Sequence, residues 1–122
     1  MTALPQPLWE REKALKDVGS PELIAEKINV SVSADSDIFD TDLKAPERGF
    51  WILRILTDTA GYPKVKETVG GSIVTGALNE ASDLTPNAWY EFWMTANEGD
   101  LINVQFSVAA KLTVRVFFVR VI

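Results

Sequence analysis

The sequence predicts an all-β protein: a β-sandwich or jelly roll of about seven or eight antiparallel strands, preceded by a short N-terminal helical arm. Three observations carry this. Residues 89–95, 101–108 and 112–122 are alternating apolar runs, broken only by Asn97-Glu98-Gly99-Asp100 and Ala109-Ala110-Lys111. Gly70-Gly71 separates two further extended segments as a two-residue hairpin loop does, because glycine accepts the positive φ of a tight turn. Strand candidates recur at the 8 to 12 residue spacing of a sandwich or barrel, and no βαβ alternation interrupts them.

The elements follow in order. Residues 1–19 form an arm: Leu4-Pro5-Gln6-Pro7 is held extended by proline, and residues 8–18 are rich in Glu, Lys, Ala and Leu, with Gly19 at a helix C-cap position. Leu8, Leu15 and Val18, with Trp9 or Arg11 beside them, make a narrow apolar stripe, and a three-turn helix of this kind needs a surface to dock on. Residues 20–122 form the sandwich domain. From Glu22 the period becomes two, with Ile24, Ile28, Val30, Val32 and Ala34 on one strand face, although Ser20-Pro21-Glu22 also suits a brief helical turn.

Residues 35–46 are polar and turn-forming around a short strand near Ile38-Phe39. Residues 50–57 are apolar on both faces except at Arg54, the mark of a central strand covered on each side. Residues 62–69 and 72–78 make the hairpin, and residues 83–87 a loop. In the strand from 89, Trp89, Glu91, Trp93 and Thr95 share one face, while Tyr90, Phe92 and Met94 share the other and read as core. In the last strand Leu112, Val114, Val116, Phe118 and Ile122 oppose Thr113, Arg115, Phe117, Val119 and Val121. Both faces are mostly apolar, so a second copy or the arm is expected to cover the outer one. The final residues are expected to be paired within the sheet.

Composition narrows the function classes. Twelve Lys and Arg against seventeen Asp and Glu give a net charge of −5, which opposes direct nucleic-acid binding through phosphate. Without cysteine there are no disulfides, thiolate metal sites or thiol nucleophiles, and without histidine the usual neutral-pH base and commonest transition-metal ligand are missing. The expectation is a non-enzymatic protein with no cofactor. The first residues lack a signal peptide's basic start and apolar stretch, and no run approaches the roughly 20 apolar residues that span a bilayer. A soluble protein with no membrane partner and no cleaved leader is expected.

Three constellations remain. Asp35, Asp37, Asp40 and Asp42 offer oxygen ligands for Ca²⁺, but the spacing lacks the glycine and closing glutamate of an EF-hand loop. The expectation is a solvated, mobile acidic turn without a tightly bound ion, unless Lys44, Arg48 or a cation compensates its charge. The same carboxylates clustered in one loop do not make the opposed pair of a glycosidase. Trp89 and Trp93, with Glu91 between them, are a sugar-stacking platform, a cover for the N-terminal helix, or a subunit contact. Gly70-Gly71 lacks the lysine and helix of a phosphate-cradling loop and reads as a turn.

An arm before a compact sandwich that ends in Trp89-Tyr90-Glu91-Phe92, Glu98-Gly99-Asp100, Ile102-Asn103-Val104-Gln105-Phe106 and a last apolar strand resembles small jelly-roll structural proteins of virions. The layout is similar above all to the capsid decoration or cement proteins of tailed bacteriophages, and more distantly to the trimeric heads of the C1q and tumour-necrosis-factor type. The resemblance covers most of residues 22–122 and is one of layout, so no functional residue carries over singly. It implies a homo-oligomer, often a trimer, whose arm grips neighbours, which binds capsid proteins on the virion surface after synthesis in the host cytoplasm. The expected assembly contacts are Leu8, Trp9, Leu15, Val18, Trp89, Trp93, Arg115 and Phe117. The competing expectation is a carbohydrate-binding β-sandwich module using Trp89 and Trp93.

Overall fold

A computed structural model describes residues 20–121, so the arm, with Leu8, Trp9, Leu15 and Val18, lies outside the described residues, as does Ile122. Within that span the chain forms eight strands: β1 (Glu22–Val32), β2 (Leu43–Lys44), β3 (Gly49–Thr57), β4 (Pro63–Val69), β5 (Ser72–Ala77), β6 (Trp89–Ala96), β7 (Leu101–Phe106) and β8 (Ala110–Arg120). They build two four-stranded antiparallel sheets, ordered β1-β8-β3-β6 and β2-β7-β4-β5. Every connection except the β4–β5 hairpin crosses from one sheet to the other. This alternation, with the first and last strands adjacent, is the jelly-roll arrangement. No helix among the described residues is long and apolar enough to cross a membrane.

The core follows from period-two patterning on both sheets. Trp51, Leu53 and Ile55 of β3 and Val114, Val116 and Phe118 of β8 meet Val65, Val104 and Phe106 of the second sheet, all buried. Trp51 meets Phe118 edge-on with ring centroids 5.2 Å apart. Tyr90, Phe92 and Met94 pack against this cluster as their parity in β6 predicts. The Asn97–Asp100 turn closes through a bond from the Asp100 N–H to the Asn97 carbonyl, with Gly99 at φ +86°. At the far end of β8, the Val121 N–H donates to the Arg48 carbonyl.

Three local expectations are corrected. No strand forms at Ile38-Phe39; the short strand is β2, five residues later. Ile38 and Phe39 are nonetheless buried, because the Ile38 N–H donates to the Val104 carbonyl and the Phe39 N–H to Asn103 Oδ1. Residues 20–22 make no helical turn, since β1 begins at Glu22. Ile24, Ile28, Val30 and Val32 do not share one face of β1. Register shifts between Leu23 and Ala25 and between Lys27 and Val30 insert extra residues against β8, and Ile28 is left exposed. The second bulge turns on Asn29, whose φ is +49° and whose N–H donates to Thr113 Oγ1.

Candidate assembly face

The outer face of the β1-β8-β3-β6 sheet is set by strand register. Phe117 stands beside Leu23 and Ile52, and Ile52 beside Trp93, so Leu23, Phe117, Ile52 and Trp93 form an apolar row across all four strands. One step along each strand pair, Glu26, Arg115, Arg54 and Glu91 form a charged row. Beyond it lie Thr113, Leu56 and Trp89. A band of charge thus runs between apolar borders.

The charged row is internally matched. Arg54 and Arg115 are direct cross-strand neighbours, a repulsive placement by itself. Each is turned towards its own carboxylate: Arg54 Nε donates to Glu91 Oε1 at 2.7 Å and Arg115 Nε to Glu26 Oε2 at 2.6 Å. Each guanidinium also lies over an aromatic ring, Arg54 over Phe117 at 5.3 Å and Arg115 over Trp89 at 5.2 Å. Glu91 Oε2 accepts from Trp93 Nε1 at 2.8 Å. The indole bond, with the Arg54 guanidinium second, holds the Glu91 carboxyl below its ordinary range.

Despite these contacts the face is open. Trp93 is 54% exposed, Trp89 49% and Leu23 48%, while Ile52 at the centre of the apolar row is already covered. Trp93 leans on Phe50 with centroids 5.9 Å apart. Its indole edge is committed to Glu91 and one side of Trp89 to Arg115, so the two indoles are fixed by separate neighbours. Along a strand they also stand about 13 Å apart.

Of the expected contact residues, Trp89, Trp93, Arg115 and Phe117 are brought together on this face. Arg54, Glu26, Ile52 and Leu23 join them without having been singled out as contacts. Parity alone places Arg54 and Ile52 on the outer side of β3, but their partners come from β6 and β8, more than thirty residues away, which no local pattern reveals.

The acidic segment is balanced differently from expectation. Asp35, Asp37 and Asp40 stay exposed as expected and Asp42 is half-buried, but the balancing cations are not Lys44 or Arg48. Lys64 pairs with Asp35, and Lys66 Nζ reaches Asp37 at 2.6 Å and Asp42 at 3.5 Å, while Gln105 and Asn103 donate to Asp37 and Asp42. Lys64 and Lys66 share the outer side of β4, from which they reach across β7 to the segment. Burial raises the Asp37 pKa, but the bonds from Gln105 and Lys66 outweigh it and lower the carboxyl overall, and the Asp37 bond raises Lys66. Among the described residues no three acidic side chains converge as metal ligands do.

No protein-family model matches the chain, and no curated protein matches it. Among solved structures it is similar to the globular domain of zebrafish complement 1qA protein, with 12% identity and a TM-score of 0.40, covering 86% of this chain and 93% of that one.

Proposed function

We propose that the protein is a non-enzymatic assembly subunit that self-associates through the outer face of the β1-β8-β3-β6 sheet, and that it serves as a capsid decoration or cement subunit on the surface of a virion. The observation that carries the assembly reading is the exposure of Trp89, Trp93 and Leu23 around paired arginines. Tryptophan and arginine are the residue types that dominate binding energy at protein interfaces. The matched Glu26-Arg115-Arg54-Glu91 row enters such a contact with its charges already paired, which lowers the cost of excluding water around it. The capsid assignment rests on the layout of the chain.

The test is Trp93→Ala in the full chain, followed by sedimentation. Loss of a central tryptophan anchor is expected to weaken self-association by roughly 30-fold or more, equivalent to about 2 kcal/mol. Electron microscopy of capsids mixed with the protein then addresses the capsid assignment separately. A protein that stays monomeric, binds glycans on an array and loses that binding in Trp93→Ala would instead be a carbohydrate-binding module.

A further inference from the structure

The second sheet ends in β5, whose only neighbour among the described residues is β4. All six of its residues are exposed, Ile73 at 65% and Val74 at 63%. Residues 68–78 contain no charged residue and no proline. Sheet edges are ordinarily guarded against pairing by lysine, proline, a bulge or a covering segment. β5 has none of these among the described residues: its register with β4 runs unbroken from Ser72 to Ala77.

The free hydrogen-bonding groups of this edge can be assigned. Gly70 and Gly71, both at positive φ, close a two-residue hairpin, so Val69 and Ser72 exchange bonds and every second pair does likewise. The bond from the Leu78 N–H to the Pro63 carbonyl at 2.9 Å fits this alternation. Ser72, Val74 and Gly76 therefore turn their backbone groups towards β4. Ile73, Thr75 and Ala77 turn theirs outward, where nothing among the described residues meets them.

We propose that β5 is a homotypic pairing edge, at which β5 of a second copy adds antiparallel about a two-fold axis through Thr75. The strand is self-complementary in that register. Thr75 faces Thr75 of the second copy, and Ile73 faces Ala77 in both directions, so every outward N–H and carbonyl of both strands is paired. The intervening positions set Val74 against Gly76, which has open space around it and no side chain to compete. No charge is opposed anywhere along the contact, and the two sheets become one continuous sheet. Backbone pairing is open to any strand, but a second copy brings an equally uncharged edge in a register that opposes no charge and sets Val74 over the open space at Gly76. This contact lies on the opposite sheet from the assembly face and is independent of it.

The chain has no cysteine, so single cysteines report proximity cleanly. In the proposed register the two Thr75 Cα atoms lie about 5.5 Å apart, within disulfide range, while each Ile73 lies about 13–14 Å from its own copy. Full-length Thr75→Cys is expected to oxidise to a covalent dimer. Ile73→Cys and Ala77→Cys are each expected to stay single, and to cross-link when mixed. Thr75→Lys, which opposes two like charges, is expected to raise the dimer Kd at least tenfold, and an equimolar mixture with Thr75→Glu to restore association. Cross-linking of Thr75→Cys no faster than of Ile73→Cys, or a mass distribution unchanged in Thr75→Lys, overturns the proposal. Trp93→Ala in the Thr75→Cys chain is expected to leave the cross-link intact, so failure of the assembly face and failure of this edge are read separately.

Discussion

Single atoms decide how closely β3 sits against β8. Gly49 pairs with Ala96 on one side and Arg120 on the other, and a Cβ there would overlap the Val119 carbonyl oxygen and come within 2.8 Å of the Phe118 ring. The carbonyl belongs to the β3–β8 ladder, where Val119 pairs with Phe50, so it cannot retreat without loosening that ladder. At Gly61 the nearest atoms to an added Cβ belong to side chains, Phe106 at 2.7 Å and Val108 at 2.8 Å, and Val108 is only partly buried. Gly49→Ala is therefore expected to cost about 2–3 kcal/mol, at the upper end of overpacking, and Gly61→Ala less. Urea denaturation of the two variants side by side checks the order. Equal midpoints would mean that the β3–β8 ladder yields more easily than its register implies.

At the scale of elements, what local pattern revealed and what it hid divide along a physical line. β3, β6 and β8 were legible because each is a long, largely apolar run bounded by turn residues, and because a one-residue slip would move the core-facing set out of the core. The bulges of β1 were not, because they are decided by pairing with β8 and by the Asn29 backbone. The partners of the acidic segment are hidden from the sequence for the same reason. Its charges were visible in sequence, but the lysines that balance them lie on β4, and the segment is held along β7 by the Asp35 and Ile38 N–H groups bonding to the Phe106 and Val104 carbonyls. The assembly face was half legible: Trp89, Trp93, Arg115 and Phe117 stood out by type and parity, whereas the row that joins them depends on strand order. A pH dependence follows from the segment's chemistry. Asp37 has its pKa lowered on folding, so its contribution is fully present above the ordinary carboxylate pKa of about 4 and is lost as pH falls through the lower, folded value. Lys66 has its pKa raised, so its share is present through neutral pH and is lost only above the ordinary lysine value of 10.5. Thermal melts should show the wild type losing stability below pH 4 more steeply than Asp37→Asn. Parallel curves for the two proteins would remove Asp37 from the account.

For the whole molecule, the described residues form a jelly roll with its own core, and its two proposed contacts lie on different sheets, one a face and one an edge. The buried cluster is drawn entirely from positions between Ile38 and Phe118, and both sheets are complete from Glu22 onward. The chain enters β1 where Glu22 pairs with Phe118 and Leu23 with Phe117, at the margin of the exposed apolar row. The described residues thus begin next to the face that most needs cover, and the apolar stripe expected from the sequence at Leu8, Leu15 and Val18 is proposed to meet it. The expectation from sequence that Pro5 and Pro7 favour an extended stretch suits a segment that reaches across to a neighbour. Deletion of residues 1–19 is accordingly expected to preserve the β-sheet circular dichroism and to shift Tm by no more than about 4 °C, the change that ~1 kcal/mol produces in a domain of this size. Sedimentation of the same truncated protein should show weaker self-association. A truncated chain that fails to fold would place the stripe in the domain's own core and leave the assembly face to be covered from within.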